Sequence, residues 1–106
     1  MPKYLWKASY NTEGVKGVLK DGGSGRRAAI EQMVKAQGGK LEALYFAFGE
    51  ADVYVIAELP DNTSAAAVAM TVNGAGAVEL QTSVLLTTEE VDAAAKQSVD
   101  YRPPGG

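Results

Sequence analysis

Apolar and polar residues alternate along four segments of the chain, and this alternation predicts four β-strands. The strands are expected at residues 3–10, 40–48, 53–59 and 78–86. Helical spacing of apolar residues predicts one helix over 26–37 and a second over 65–72. Thr87 and Glu90 form a capping-box pattern that predicts a short third helix after the last strand.

The order β-α-β-β-α-β predicts a ferredoxin-like α+β fold. Right-handed crossovers place both long helices on one face of a four-stranded antiparallel sheet of strand order 4-1-3-2. The glycine-rich stretch 11–25 is expected to be a connection with turns. We expect residues 1–97 to form a single domain and residues 98–106 to be a flexible tail.

The short loop Gly49-Glu50-Ala51-Asp52 predicts a hairpin in which Phe48 lies opposite Val53. This register gives the second and third strands one apolar face, which we expect to pack on the helices as the core. Its residues are Leu44, Phe46, Phe48, Val53, Val55, Ala57 and Leu59.

The opposite face of the same hairpin is a mixture of aromatic, small and acidic residues, too apolar to stay in water. It contains Leu41, Ala43, Tyr45, Ala47, Tyr54, Ile56 and Glu58, and the outer strand adds Glu79, Gln81, Ser83 and Leu85. Leu5 and Lys7 join them if Trp6 points to the helices, and the reverse orientation of the first strand stays open. A face of this composition predicts at least a homodimer.

Composition excludes several kinds of chemistry. The chain has no Cys and no His, so thiolate or imidazole metal sites and His-paired nucleophiles are excluded, and we expect no metal and no cofactor. With 10 basic and 13 acidic residues, a nucleic-acid partner is not expected. No apolar run has membrane-spanning length and no signal-peptide core is visible, so we expect a cytoplasmic protein without a membrane partner.

Two groups of residues are candidate ligand sites. The first is Lys7, Tyr45, Tyr54, Glu58 and Gln81 on the apolar face, where buried charges would need partners. This group is either a polar network within the dimer interface or the lining of a small-molecule cavity. The second is Thr12, Glu13, Arg27 and Asp52. The turn at Thr12 and Glu13 is a candidate site, with Lys16, for a small anion or carboxylate, Arg27 is a candidate phosphate binder, and Asp52 is a candidate ligand contact with Gly49. Its alternatives are a capped turn at Thr12 and Glu13, loop amides bound by Asp52, and an ion pair of Arg27 with Glu13 or Asp52.

Several short motifs in this order resemble the GYD domain family. They are Tyr10-Asn11-Thr12-Glu13-Gly14, Arg27, Gly38-Gly39-Lys40-Leu41, Tyr45 with Gly49 and Asp52, and Pro60-Asp61. The resemblance covers about residues 4–90 and implies a ferredoxin-like, dimeric α/β-barrel protein. The chain departs from the family at the hairpin, where Ala51 stands in place of the aromatic residue of the Gly-Tyr-Asp motif.

We therefore expect a homo-oligomeric small-molecule-binding or accessory protein whose main partner is a second copy of itself. A small apolar or aromatic molecule is a further candidate partner. The alternative is a cofactor-independent dimeric α/β-barrel enzyme, of the monooxygenase or isomerase type, with a cavity lined by Tyr and Glu. A third option is a structural subunit that assembles further through its strand edges and its tail.

Overall fold

The computed structural model describes residues 1–106 and contains one sheet and three helices. In chain order the elements are β1 (Lys3–Tyr10), α1 (Thr12–Ala36), β2 (Lys40–Phe46), β3 (Val53–Glu58), α2 (Asn62–Ala75), β4 (Val78–Leu85) and α3 (Thr88–Ala95). All neighbouring strands are antiparallel and their order is β2-β3-β1-β4. This is the predicted order read from the other edge, so the ferredoxin-like α+β fold is confirmed.

The core lies between the sheet and the helices α1 and α2. Tyr4, Trp6 and Ala8 of β1 are buried there, which settles the orientation of this strand with Trp6 toward the helices. Tyr4 also donates a hydrogen bond of 2.7 Å from its hydroxyl to Oδ1 of Asn62 at the start of α2. The remaining core residues are Ile30, Val34, Leu41, Leu44, Val53, Val55, Ala57, Leu59, Ala65 and Val68.

The hairpin is shorter than the sequence predicts. Strand β2 ends at Phe46, which lies opposite Val53, so the register differs from the expected one by two residues. Placing Phe48 in the core was wrong, because Phe48 lies in the loop and is fully exposed. Two hydrogen bonds of Asp52 close the loop: its N–H donates to the carbonyl of Ala8 in β1 at 2.9 Å, and its carbonyl accepts the N–H of Ala47 at 2.8 Å. An even shift keeps the paired side chains on their expected faces. Phe46 is nevertheless 41% exposed, so its expected burial in the core was also wrong.

A β-bulge changes the position of one residue. The pairing of β2 with β3 shifts between Leu41 and Ala43, so Glu42 is an extra residue in β2. The expectation that Leu41 shares a face with Ala43 was wrong, because a bulge reverses the alternation. Leu41 is buried in the core instead, at 7% exposure.

Helix α1 includes most of the stretch that we expected to be a loop. The side chain of Asn11 accepts a hydrogen bond from the N–H of Gly14 and caps the helix. The helix then runs to Ala36 with one kink, at Gly22, whose φ of 74° is left-handed and therefore suits glycine. The prediction of a connection over 11–25 was wrong because no proline interrupts this stretch and glycine weakens a helix without ending it.

The other two helices differ in how they pack. Helix α2 is longer than the predicted 65–72: it is capped by Asp61, ends at Gly76 and contributes to the core. Helix α3 has the predicted capping box of Thr87 and Glu90, yet none of its residues is buried. None of the three helices is both long and apolar enough to cross a bilayer.

The chain exposes more surface than a compact monomer of its mass. Its accessible area is 7291 Å², whereas area scaling gives about 5,700 Å² for 11.1 kDa. Its radius of gyration is 16.7 Å, against about 13 Å for a compact chain of this length. The protruding α3 and the uncovered face of the sheet both contribute to this excess.

Candidate functional site

The sheet face turned away from α1 and α2, here called the open face, carries a row of four polar and aromatic side chains. Tyr45 of β2 lies opposite Tyr54 of β3, Tyr54 lies opposite Lys7 of β1, and Lys7 lies opposite Gln81 of β4. Directly opposed side chains have Cβ atoms about 5 Å apart. Four of the five residues of the first candidate group therefore form one continuous line across the sheet, which we call the open-face row.

Glu58 lies outside this row. It pairs with Lys3 of β1 and with Lys40 of β2, four residues along β3 from Tyr54. At about 3.4 Å per residue, this separation is about 14 Å. Glu58 is on the expected face but too far from Lys7 to be its partner.

The partner of Lys7 is Glu50, in the hairpin loop. Nζ of Lys7 donates to Oε1 of Glu50 at 2.6 Å. This hydrogen bond raises the pKa of Lys7 and lowers the pKa of Glu50, so both groups are held in their charged forms. Sequence reasoning missed Glu50 because a loop residue has no strand register to place it. The one signal was an acidic residue in a short hairpin next to a strand that carries a lysine.

Lys7 sits at a small polar recess beside the row. The recess has a volume of about 80 Å³ and is lined by Lys7, Ser9, Glu50, Glu79 and Gln81. It has one basic and two acidic residues, so its net charge is about −1. A recess of this size has room for a few water molecules and is too small for an organic ligand.

Apolar side chains occupy the rest of the open face. Ile56 of β3 lies opposite both Leu5 and Ala43, and Leu85 lies opposite Lys3 at the end of β4. Ile56 and Leu5 are half-buried, whereas Tyr45 is 74% exposed. The open face is therefore mixed: its apolar and aromatic side chains lie beside the charged residues Glu58 and Glu79 and two ion pairs, Lys7–Glu50 and Lys3–Glu42.

The second candidate group is not assembled. Glu13 lies 3.9 Å from Lys16 in the first turns of α1, and the carboxylate of Asp52 accepts the N–H of Tyr10 at 2.7 Å. Arg27 is exposed on α1 and forms no ion pair with Glu13 or Asp52, so that predicted pair was wrong. Thr12 is the first residue of α1, next to the capping Asn11.

The largest groove, of about 560 Å³, lies where α2 leads into β4. Its polar side chains already have structural partners. Asn73 bonds both backbone groups of Leu80, accepting its N–H at 2.7 Å and donating to its carbonyl at 3.2 Å. Asn11 donates to the carbonyl of Gly76. The groove is open to solvent, and the amide side chains that line it already form hydrogen bonds within the chain, so they are not free to bind a ligand.

Comparison with known proteins gives one match. The family model of the GYD domain matches residues 4–95, most of the chain and all seven elements. No curated protein and no solved structure matches the chain.

Proposed function

Because the chain belongs to the GYD domain family, we propose that it is a homo-oligomeric small-molecule-binding or accessory protein that self-associates through its open face. The observation that carries this proposal is the composition of that face. Tyr45 is 74% exposed, and Tyr54, Ile56 and Leu5 are incompletely covered by their own chain. Contiguous apolar surface of this kind marks an interaction site.

A second copy is the occupant that suits this face best. The face is a twisted antiparallel sheet, and two such sheets stack with their side chains interdigitated about 10 Å apart. A two-fold axis through the open face would bring the same residues of both copies together, so an apolar patch would meet an apolar patch.

The Lys7–Glu50 pair supports a role in the interface. A lysine that enters an interface needs an acidic partner, and Lys7 already has one at 2.6 Å. The alternative function, a cofactor-independent monooxygenase or isomerase, needs a group that titrates near neutral pH. In this pair the pKa of Lys7 is raised and the pKa of Glu50 is lowered, so both groups titrate farther from neutral pH than usual. The enzymatic alternative therefore has less support.

Spin labels can test which face meets the second copy. The chain has no cysteine, so one introduced cysteine carries one label. Gln81→Cys places the label on the open face at the edge strand β4, and Thr71→Cys places it on the exposed side of α2 as the control. We expect the distance between the two Thr71 labels to exceed the distance between the two Gln81 labels by about 20 Å, because a helix layer of about 10 Å is added on each side.

Equal distances, or a shorter one between the Thr71 labels, would contradict stacking through the open face. Absence of any distance between labels would contradict self-association. The cytoplasmic location stays a prediction, and fluorescence microscopy of a tagged chain would check it.

A further inference from the structure

A partly open cavity lies at the edge of the core, on the other side of the sheet from the open-face row. It has a volume of about 270 Å³ and is bordered by β1, β3, β4 and the two long helices. Eleven of its twelve lining residues are hydrophobic, and the exception is Arg26. An apolar cavity of about 150 Å³ already takes up benzene, so this one has room for a ring with a short side chain.

Two hydrogen-bond donors at this cavity have no partner. Nε1 of Trp6 and Nε of Arg26 are both buried and unbonded, and both residues line the cavity. Only 2% of the surface of Trp6 is exposed to solvent. Buried donors are satisfied in most folded proteins, so two orphaned donors at one cavity need an explanation.

The charge of Arg26 indicates what the missing partner is. No carboxylate of the chain pairs with Arg26, although Arg26 lines an otherwise apolar cavity and its Nε is buried. Arg26 is half-buried as a whole, so it lies at the rim of the cavity, and Ala29 one turn later is exposed and also lines it. A ligand can therefore enter beside α1 with its apolar part first and leave an anionic group between the two donors.

We propose that this cavity binds a compact hydrophobic carboxylate. Its ring or branched chain lies among Ile30, Met33 and Val55, and its carboxylate accepts hydrogen bonds from Trp6 and Arg26. The proposal rests on the small-molecule-binding part of the proposed function and does not depend on self-association. Nothing in the sequence pattern of α1 shows that Nε of Arg26 is buried.

Trp6 makes the test specific. It is the only tryptophan of the chain, so tryptophan fluorescence reports on this cavity alone. The probes are phenylacetate, 3-phenylpropionate and 4-phenylbutyrate, each compared with the alcohol of the same carbon skeleton. We expect a saturable change in Trp6 emission with at least one acid, and calorimetry that gives this acid about tenfold tighter binding than its alcohol, because a charge-assisted hydrogen bond is added.

Neighbouring residues on α1 supply matched controls. Arg26→Gln is expected to weaken the binding of the acid about tenfold and to leave the binding of the alcohol unchanged. Arg27→Gln, at the exposed neighbour, should change the affinity for neither probe. Ala29→Leu should weaken the binding of both the acid and the alcohol, because the larger side chain fills the entrance. Ala28→Leu should leave both affinities unchanged. If circular dichroism shows that Arg26→Gln does not fold, the inference is tested by Ala28→Leu and Ala29→Leu and by the ratio of the wild-type affinities for the acid and the alcohol.

Several outcomes would overturn the inference. They are no saturable binding of any probe, equal affinity for acid and alcohol, or an equal effect of the Arg26 and Arg27 variants. Light scattering on the same samples separates this inference from the proposed self-association. A dimer that binds no probe overturns only the cavity, and a monomer that binds the acids overturns only the self-association.

Discussion

Truncating Ile56 should weaken the dimer by an amount that the structure allows us to estimate. Ile56 lies near the middle of the open face, between Leu5 and Ala43. Full burial of an isoleucine side chain contributes about 1.5–3 kcal/mol, and about a third of this side chain at most is exposed in the single chain, so about 0.5–1 kcal/mol remains for the interface. A two-fold interface uses the residue twice, so Ile56→Ala should cost about 1–2 kcal/mol per dimer.

This cost corresponds to about a 5- to 30-fold increase in the dissociation constant of the dimer. Sedimentation equilibrium over a dilution series measures it directly. Met70→Ala is the matched control, because Met70 is 76% exposed on α2, away from the sheet. An unchanged dissociation constant for Ile56→Ala, or an equal change for Met70→Ala, would refute the assignment of the open face as the interface.

Three further predictions concern the stability of the single chain, measured by urea unfolding. Gly39→Ala should destabilise the protein by at least about 1–3 kcal/mol, because the added Cβ would lie 2.1 Å from a backbone carbonyl oxygen of β3. Gly74→Ala is the control and should not destabilise the protein, because the space around Gly74 is open. Tyr4→Phe should cost about 0.5–1.5 kcal/mol, because it removes the hydrogen bond to Asn62, and no loss would contradict that bond's role. The capping bonds to Asp61 lower its pKa below 3.8, so its contribution is present above that pH and is lost as the pH falls through the folded value. Asparagine at this position still caps the helix but does not titrate. The free energy of unfolding of Asp61→Asn should therefore fall less steeply as the pH is lowered, and an unaltered pH dependence would contradict this.

The faces of the sheet could be predicted from the sequence because alternation has a period of two. The predicted hairpin register differs from the observed one, in which Phe46 lies opposite Val53, yet the shift is even and the face assignments of the paired residues outside the bulge survive, whereas Phe48 lies in the loop. The bulge at Glu42 could not be predicted with the same rule, because one extra residue reverses the alternation before it. The three-residue spacing of the buried Leu41 and Leu44 is its only trace in the sequence.

The candidate site was predicted in part, for the same physical reason. Residues within strands are placed by register, and Lys7, Tyr54 and Gln81 form a row as expected. Glu50 lies in a loop, where backbone dihedrals rather than alternation decide which residue meets Lys7. The kink at Gly22 likewise depends on a single backbone conformation that no pattern of apolar residues encodes.

The mass of the wild-type protein in solution tests the central claim most directly. Light scattering after size exclusion, at micromolar concentration, should give at least twice the chain mass of 11.1 kDa, since the open face is expected to be covered by another copy. A mass of one chain over the whole concentration range would contradict the account.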